Sequence, residues 1–334
     1  MQYAISLCAA ARLPAARRPA GAPRRNGVQG HQLSRFNRAV RKVEAASAAA
    51  GQAPEQPEER GVPAGWEQAQ RISADALAML HGGEPSTAEI ILKKGIGELQ
   101  VEHPNDPSIA LLHTQLWNIL SDAGQYDAAL EQAQAAYDLM LSYFGPESAD
   151  AAFHGIRLGI SLVVSGTDLD RAQELLMYGG SCAQHNLEIF WKRLQEMEAA
   201  GQEPGELLMH TRKLMVALAE SNFYSALGVA RKALLDADEL EVPMADLEEA
   251  WIGGTKQMAM ALPPDHPMFA TALRELERLV PDAAGRPELQ AELEAAKSKV
   301  QELLYLIRQL PESMAPETVA TEQPAAEADD GYRP

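Results

Sequence analysis

The sequence predicts an all-α fold, a right-handed solenoid of stacked helical hairpins with about ten to twelve helices between residues 66 and 310. Three observations predict it. Apolar residues recur at intervals of three and four, the period of one helix face. Short breaks rich in Gly, Pro and Asp interrupt that pattern roughly every 15–20 residues. A unit of about 42 residues repeats, since Asp106-Pro107-Ser108-Ile109-Ala110 is matched by Glu147-Ser148-Ala149-Asp150-Ala151 starting 41 positions later. Composition agrees with helix. Aromatics are only 5% of the chain, and Ala, the best helix former, carries much of the apolar count. No stretch alternates with period two, and the β-branched and aromatic residues that favour sheet are sparse.

Residues 1–45 read as a removable leader. They hold nine basic residues (Arg12, Arg17, Arg18, Arg24, Arg25, Arg35, Arg38, Arg41, Lys42) and one acid, Glu44. Arg and Ala dominate, Pro14, Pro19 and Pro23 break any long helix, and this is the composition of a transit peptide. Val43-Glu44-Ala45-Ala46 resembles the loose cleavage pattern of chloroplast leaders. The expected location is therefore the chloroplast stroma, with the mitochondrion as the alternative. A secretory signal fits less well, because no basic residue precedes Tyr3–Ala11 and the Arg pairs follow it. Residues 46–65 read as a disordered linker of Ala, Gln, Glu and Pro, and residues 311–334 as a disordered acidic tail.

The repeat domain is expected over 66–310. Its breaks fall at Gly82–Pro85, Pro104–Pro107, Ala123–Gln125, Gly145–Glu147, Ser165–Thr167, Gly201–Gly205, Pro263–Asp265 and Pro281–Pro287, each with the residue types that stop one helix and cap the next. Leu116 stands eight before Gly124, and Leu158 eight before Gly166. After each glycine corner a second helix carries small residues on one face: Ala129, Ala133 and Ala136, then Ala172, Leu176 and Gly179. Residues three and four apart share a helix face, so these small side chains let the paired helix approach closely. Tyr126 stands at the first corner, where its ring can fill the gap between helices. Phe223, Ala226, Ala230 and Ala233 repeat the spacing more weakly. The last helix, Leu289–Leu310, presents Leu293, Val300, Leu303, Leu304 and Ile307 on one face and a charged outer side, as a capping helix requires.

The segment Leu116…Gly124-Gln125-Tyr126-Asp127-Ala128-Ala129…Ala136 resembles a tetratricopeptide repeat. The long period, with Tyr143-Phe144-Gly145-Pro146-Glu147-Ser148 between units, is similar to kinesin-light-chain repeats. It is also similar to the helical C-terminal domain of SET/MYND-type lysine methyltransferases. The match covers about residues 103–180 and departs in the second unit, where Asp168-Leu169 replaces the corner aromatic. The resemblance implies a protein-binding solenoid. A SET/MYND enzyme would also need its catalytic domain and zinc-binding cysteines, and only Cys8 and Cys182 occur here.

Charge and motifs narrow the function. Outside the leader stand 20 basic and 46 acidic residues, a surface that repels phosphate backbones, so no nucleic-acid partner is expected. No apolar run approaches the 18 residues or so of a transmembrane helix. Gly253-Gly254-Thr255-Lys256 resembles the end of a phosphate loop but lies in a helical pattern with no strand before it. Cys182-x-x-His185 lacks a second ligand pair. His103-Pro104 and His266-Pro267 read as turn residues. The acidic runs Asp236–Glu241 and Asp246–Glu249 read as solvated helix ends. No catalytic residue, cofactor or metal is expected.

The expected function is a non-catalytic scaffold or assembly factor that holds a protein segment, basic or apolar, in the concave groove. The alternatives are a permanent subunit of a larger complex and a methyltransferase relative without its catalytic half. The inner wall of such a solenoid is formed by the first helix of each pair. Counted back from the corners, it should present Leu111, Thr114, Asn118, Ser121 and Asp122, then Phe153, Ile156, Ile160, Val163 and Val164. Asn118 is a candidate clamp for a peptide backbone, because its amide both donates and accepts.

Overall fold

The computed structural model describes residues 62–309 except 147, 204 and 236–242. The chain divides into two units, Met1–Pro63 and Ala64–Pro334. The leader, most of the linker, the tail and the run Asp236–Glu241 lie outside the described residues. Within the second unit the described residues form ten α-helices and no strand.

The helices are α1 (Trp66–His81), α2 (Pro85–Glu102), α3 (Ile109–Asp122), α4 (Tyr126–Phe144) and α5 (Ala149–Ser165). They continue as α6 (Leu169–Ala199), α7 (Gly205–Leu235), α8 (Met244–Ala261), α9 (Pro267–Asp282) and α10 (Pro287–Arg308). Consecutive pairs form five hairpins, and each hairpin packs on the next. The first helices make a row stitched by side chains. Gln115 of α3 donates to Ser73 of α1. Trp117 of α3 donates to Ser161 of α5 at 2.7 Å, and Arg231 of α7 donates to the carbonyls of Val163 and Val164 at 2.8 and 2.7 Å. Among the second helices, Lys299 of α10 pairs with Glu248 of α8 at 2.6 Å.

The corners follow local chemistry. Gly124 and Gly166 both have φ of +73°, a region where a Cβ is strained, and each ends a first helix. Ser148 caps α5 by accepting from the Ala151 N–H at 3.0 Å, and His266 caps α9 by accepting from Met268 N–H at 3.3 Å. Pro85, Pro267 and Pro287 open α2, α9 and α10, where the missing N–H costs nothing. Asp106 closes the turn before α3, accepting from Gly65 N–H at 2.9 Å and from both Ser108 N–H and its hydroxyl. Burial would raise the Asp106 pKa, but the Ser108 and Gly65 hydrogen bonds outweigh it and hold the carboxyl below its usual range.

The small-residue face packs as its spacing requires. Ala129, Ala133, Ala136 and Ala172 are buried, with Leu116 and Leu158 against them in the core. Helices α5 and α6 approach closely. A Cβ on Gly159 would stand 2.8 Å from Leu176, and one on Gly179 would run into Ile156 and, at 2.9 Å, the Ala152 carbonyl. The Gly253–Lys256 stretch is a helical segment of α8, with Gly254 backed against Ala219 and Phe223. Two core clusters result: one over α1–α4, and a larger one from α4 to α10 around Trp251, Phe223 and Phe269. Each of these fully buried rings contributes about 2–3 kcal/mol by removal from water.

Candidate partner-binding face

Helices α3, α5 and α7, neighbours in the row of first helices, bring one group of side chains together. On α3, Asn118 and Asp122 are exposed, and Leu111, Thr114 and Ser121 are half-buried. On α5, Phe153 is half-buried. Ile156 and Ile160, expected on the open wall, are 1% and 5% exposed, and Val163 and Val164 are buried with them. The reason is the depth of the packing. Ile156 lies over Gly179 of α6, and Val163 lies against Gly228 of α7. These four residues are core, and the open wall is carried by the α3 residues and Phe153.

Between them stands Arg157, which sequence reasoning passed over. Its guanidinium lies 5.0 Å from the Trp117 ring centroid and 4.6 Å from that of Phe153, within cation–π reach of both rings. Trp117 is held in place by its N–H bond to Ser161, whose hydroxyl in turn donates to the Arg157 carbonyl at 2.9 Å. The Nε and Nη1 atoms of Arg157 are buried and meet no acceptor among the described residues. Leaving such donors unmet costs about 1–3 kcal/mol, more for a charged group. The signal was present in the sequence: Arg157 is the sole Lys or Arg of α5, amid an apolar run, one turn after Phe153.

Two further titratable groups face this cluster. Burial pushes Glu220 of α7 up to about 7, with the Arg157 charge working against the rise. Burial, aided by the Arg157 charge, pushes His154 down to about 3, so its imidazole is neutral at physiological pH. His154 Nδ1 is 3.5 Å from the Thr114 hydroxyl. On α3 itself His113 is also buried, and its Nδ1 is 2.8 Å from Gln132 Oε1.

Tyr126 opens α4 at its corner, packs against the core and reaches beyond its own hairpin. Its hydroxyl reaches Glu275 of α9 at 3.5 Å, and the Arg278 guanidinium sits 4.7 Å over its ring. Glu275 also pairs with Arg278 at 2.8 Å. A depression of about 610 Å³ lies beside α4, lined by Asp127, Leu130, Glu131 and Asp138 with Leu162 and Arg171. Its polar groups are partly spent on each other, since Arg171 donates to Gln134 at 3.0 Å and Gln134 to Asp138 at 2.7 Å.

No family model matches the chain, and no curated protein is significantly similar to it. Among the described residues, no three of His, Cys, Asp and Glu are grouped to hold a metal ion, and no helix is long and apolar enough to cross a membrane.

Proposed function

We propose that this chain is a tetratricopeptide-like, non-catalytic scaffold or assembly factor working in an organelle, the chloroplast stroma, where it holds a segment of a protein partner across α3, α5 and α7. The observation that carries the reading is Arg157 stacked near Trp117 and Phe153, with Asn118 exposed on the same helix as Trp117. Rigid aromatic and Arg side chains anchor protein interfaces at low entropic cost. The acidic excess outside the leader favours neutral or basic segments over acidic ones.

The test is affinity capture from isolated stroma with three baits: the wild type, an Asn118→Asp/Phe153→Ala double variant, and an Ile90→Asp variant. Ile90 is exposed on α2, a second helix, and serves as the control. The proposal expects a partner retained by wild type and control and lost from the double variant. A partner held equally by all three baits removes the α3–α5–α7 face from the account.

A further inference from the structure

We propose that the far end of the α6–α7 hairpin is a self-association arm, on which a second copy of this chain docks antiparallel about a twofold axis. Such docking goes beyond the partner-binding reading and needs no partner on the α3–α5–α7 face. Helices α6 and α7 have 31 residues each, whereas the flanking α5 and α8 have 17 and 18. Gly179 of α6 lies level with Ala152 of α5, close to where α5 begins at Ala149. Gly254 of α8 lies level with Ala219 of α7, and α8 ends at Ala261. The end of α6 and the start of α7 therefore run beyond both neighbours, and residues 187–199 span about 20 Å. There the hairpin keeps apolar side chains outside the core. Leu187, Phe190, Trp191 and Leu207 are half-buried, Ile189 and Met209 are 49% and 42% exposed, and none of the six belongs to either core cluster. Phe190 meets the His210 ring edge-on with centroids 6.4 Å apart, but Trp191 has no hydrogen bond or ring contact among the described residues. Aromatic and Met side chains of this kind fill the cores of protein interfaces.

Charge along the arm selects the occupant. Counted from the corner at Gly201–Gly205, Lys192 and Arg193 of α6 stand level with Arg212 and Lys213 of α7 and form a basic band. Glu196, Glu198 and Glu203 follow toward the corner as an acidic tip. Lys192, Arg193, Glu196 and Glu198 are exposed and form no ion pair among the described residues, although Lys192 and Glu196 are one turn apart. A twofold interface uses the same patch on both copies. Two parallel arms would set band against band and tip against tip. Two antiparallel arms set each acidic tip against the other's basic band, with the apolar side chains of both between them. An anionic membrane surface is opposed by the acidic tip and by the acidic excess outside residues 1–45. A face about 20 Å long makes an interface at the small end of specific complexes, so the dimer is reversible, with a Kd in the micromolar range.

The test is sedimentation equilibrium of the full chain at low salt, from about 1 to 200 µM. The wild type should pass from monomer to dimer across this range, and high salt should weaken the dimer. Two triple variants reverse charge at exposed positions: Lys192→Glu/Arg193→Glu/Lys213→Glu on the band, and Glu196→Lys/Glu198→Lys/Glu203→Lys on the tip. Each alone should self-associate more than tenfold more weakly, because its band and tip then share one sign. Their equimolar mixture should recover the dimer, since every tip again meets a band of opposite sign. Helical circular dichroism checks folding. If a charge variant does not fold, Trp191→Ser, which leaves the charge pattern intact, should still weaken the dimer about tenfold. A wild type that stays monomeric throughout overturns the proposal and leaves the arm to a different protein. A dimer unchanged by the folded reversals or by Trp191→Ser overturns it too, as does a mixture of folded reversals no tighter than its components. Partner capture through Asn118 and Phe153 is read separately, so either reading can fail without the other.

Discussion

Arg157 shows how a single side chain is placed by its neighbours. Trp117 is fixed to Ser161, Ser161 is fixed to the Arg157 carbonyl, and the guanidinium lies within cation–π reach of two rings. His154, about two turns before Ser161 on α5, gives a pH signature. Its folded pKa of about 3 lies below the unfolded value of 6.5, so the unfolded chain binds more protons between them. That contribution is whole above pH 6.5 and is lost as pH falls toward 3, amounting to about 2 kcal/mol at pH 5. Glu220 acts oppositely: its raised pKa penalises the fold above pH 4.5, and acid relieves the penalty. Urea unfolding of the wild type and His154→Leu at pH 7.5 and 5.0 separates them, and the variant should lose about 2 kcal/mol of the acid-side destabilisation. Asp106→Ala should cost about 2–3 kcal/mol by the same assay, since it strips a buried turn of the acceptor for three hydrogen bonds. Asn118 and Phe153 were legible as wall residues because helical spacing alone assigns a face. Arg157 and Trp117 were not, because reading α5 as an apolar wall hid its one Lys or Arg. Ile156 and Ile160 were placed too far out because spacing does not reveal how deeply α6 and α7 bury the back of α5.

At the scale of the element, glycines separate packing from propensity. Gly179 touches Ile156 and the Ala152 backbone, so Gly179→Leu should push α6 off α5 and cost about 3 kcal/mol, seen as a lower urea midpoint. Gly97 sits in mid-α2 with open space around it, so Gly97→Ala should instead stabilise by about 0.5–1 kcal/mol. Eight helix breaks were legible because Gly, Pro and Asp act locally, through φ and the missing N–H. The start of α8 after Pro243 was not, because the acidic run before it carries no glycine and reads as solvated helix. The 31-residue length of α6, against 14 for α3, follows from the unbroken stretch between Thr167 and Gly201, whereas the end of α7 at Leu235 was hidden.

Across the second unit, one contact that no repeat pattern specifies joins distant helices. Tyr126, 149 positions from Glu275, joins α4 to α9, and Arg278 covers the ring while pairing with the same carboxylate. Glu275 is 2% exposed, and burial raises its pKa against the pull of Arg278. Glu275→Ala should cost about 2 kcal/mol, below the full value of a buried pair because Arg278 keeps 36% of its side chain in solvent. A cycle with Tyr126→Phe in thermal unfolding should show non-additive losses if the contact couples the hairpins. The functional reading turns on whether a partner chain reaches the α3–α5–α7 face. The most direct measurement is photocrosslinking from a benzoylphenylalanine placed at Asn118 or, separately, at Val101 on α2, in stroma. The account predicts a discrete crosslinked partner from position 118 and none from 101. The same adduct from both positions, or one from 101 alone, would contradict it.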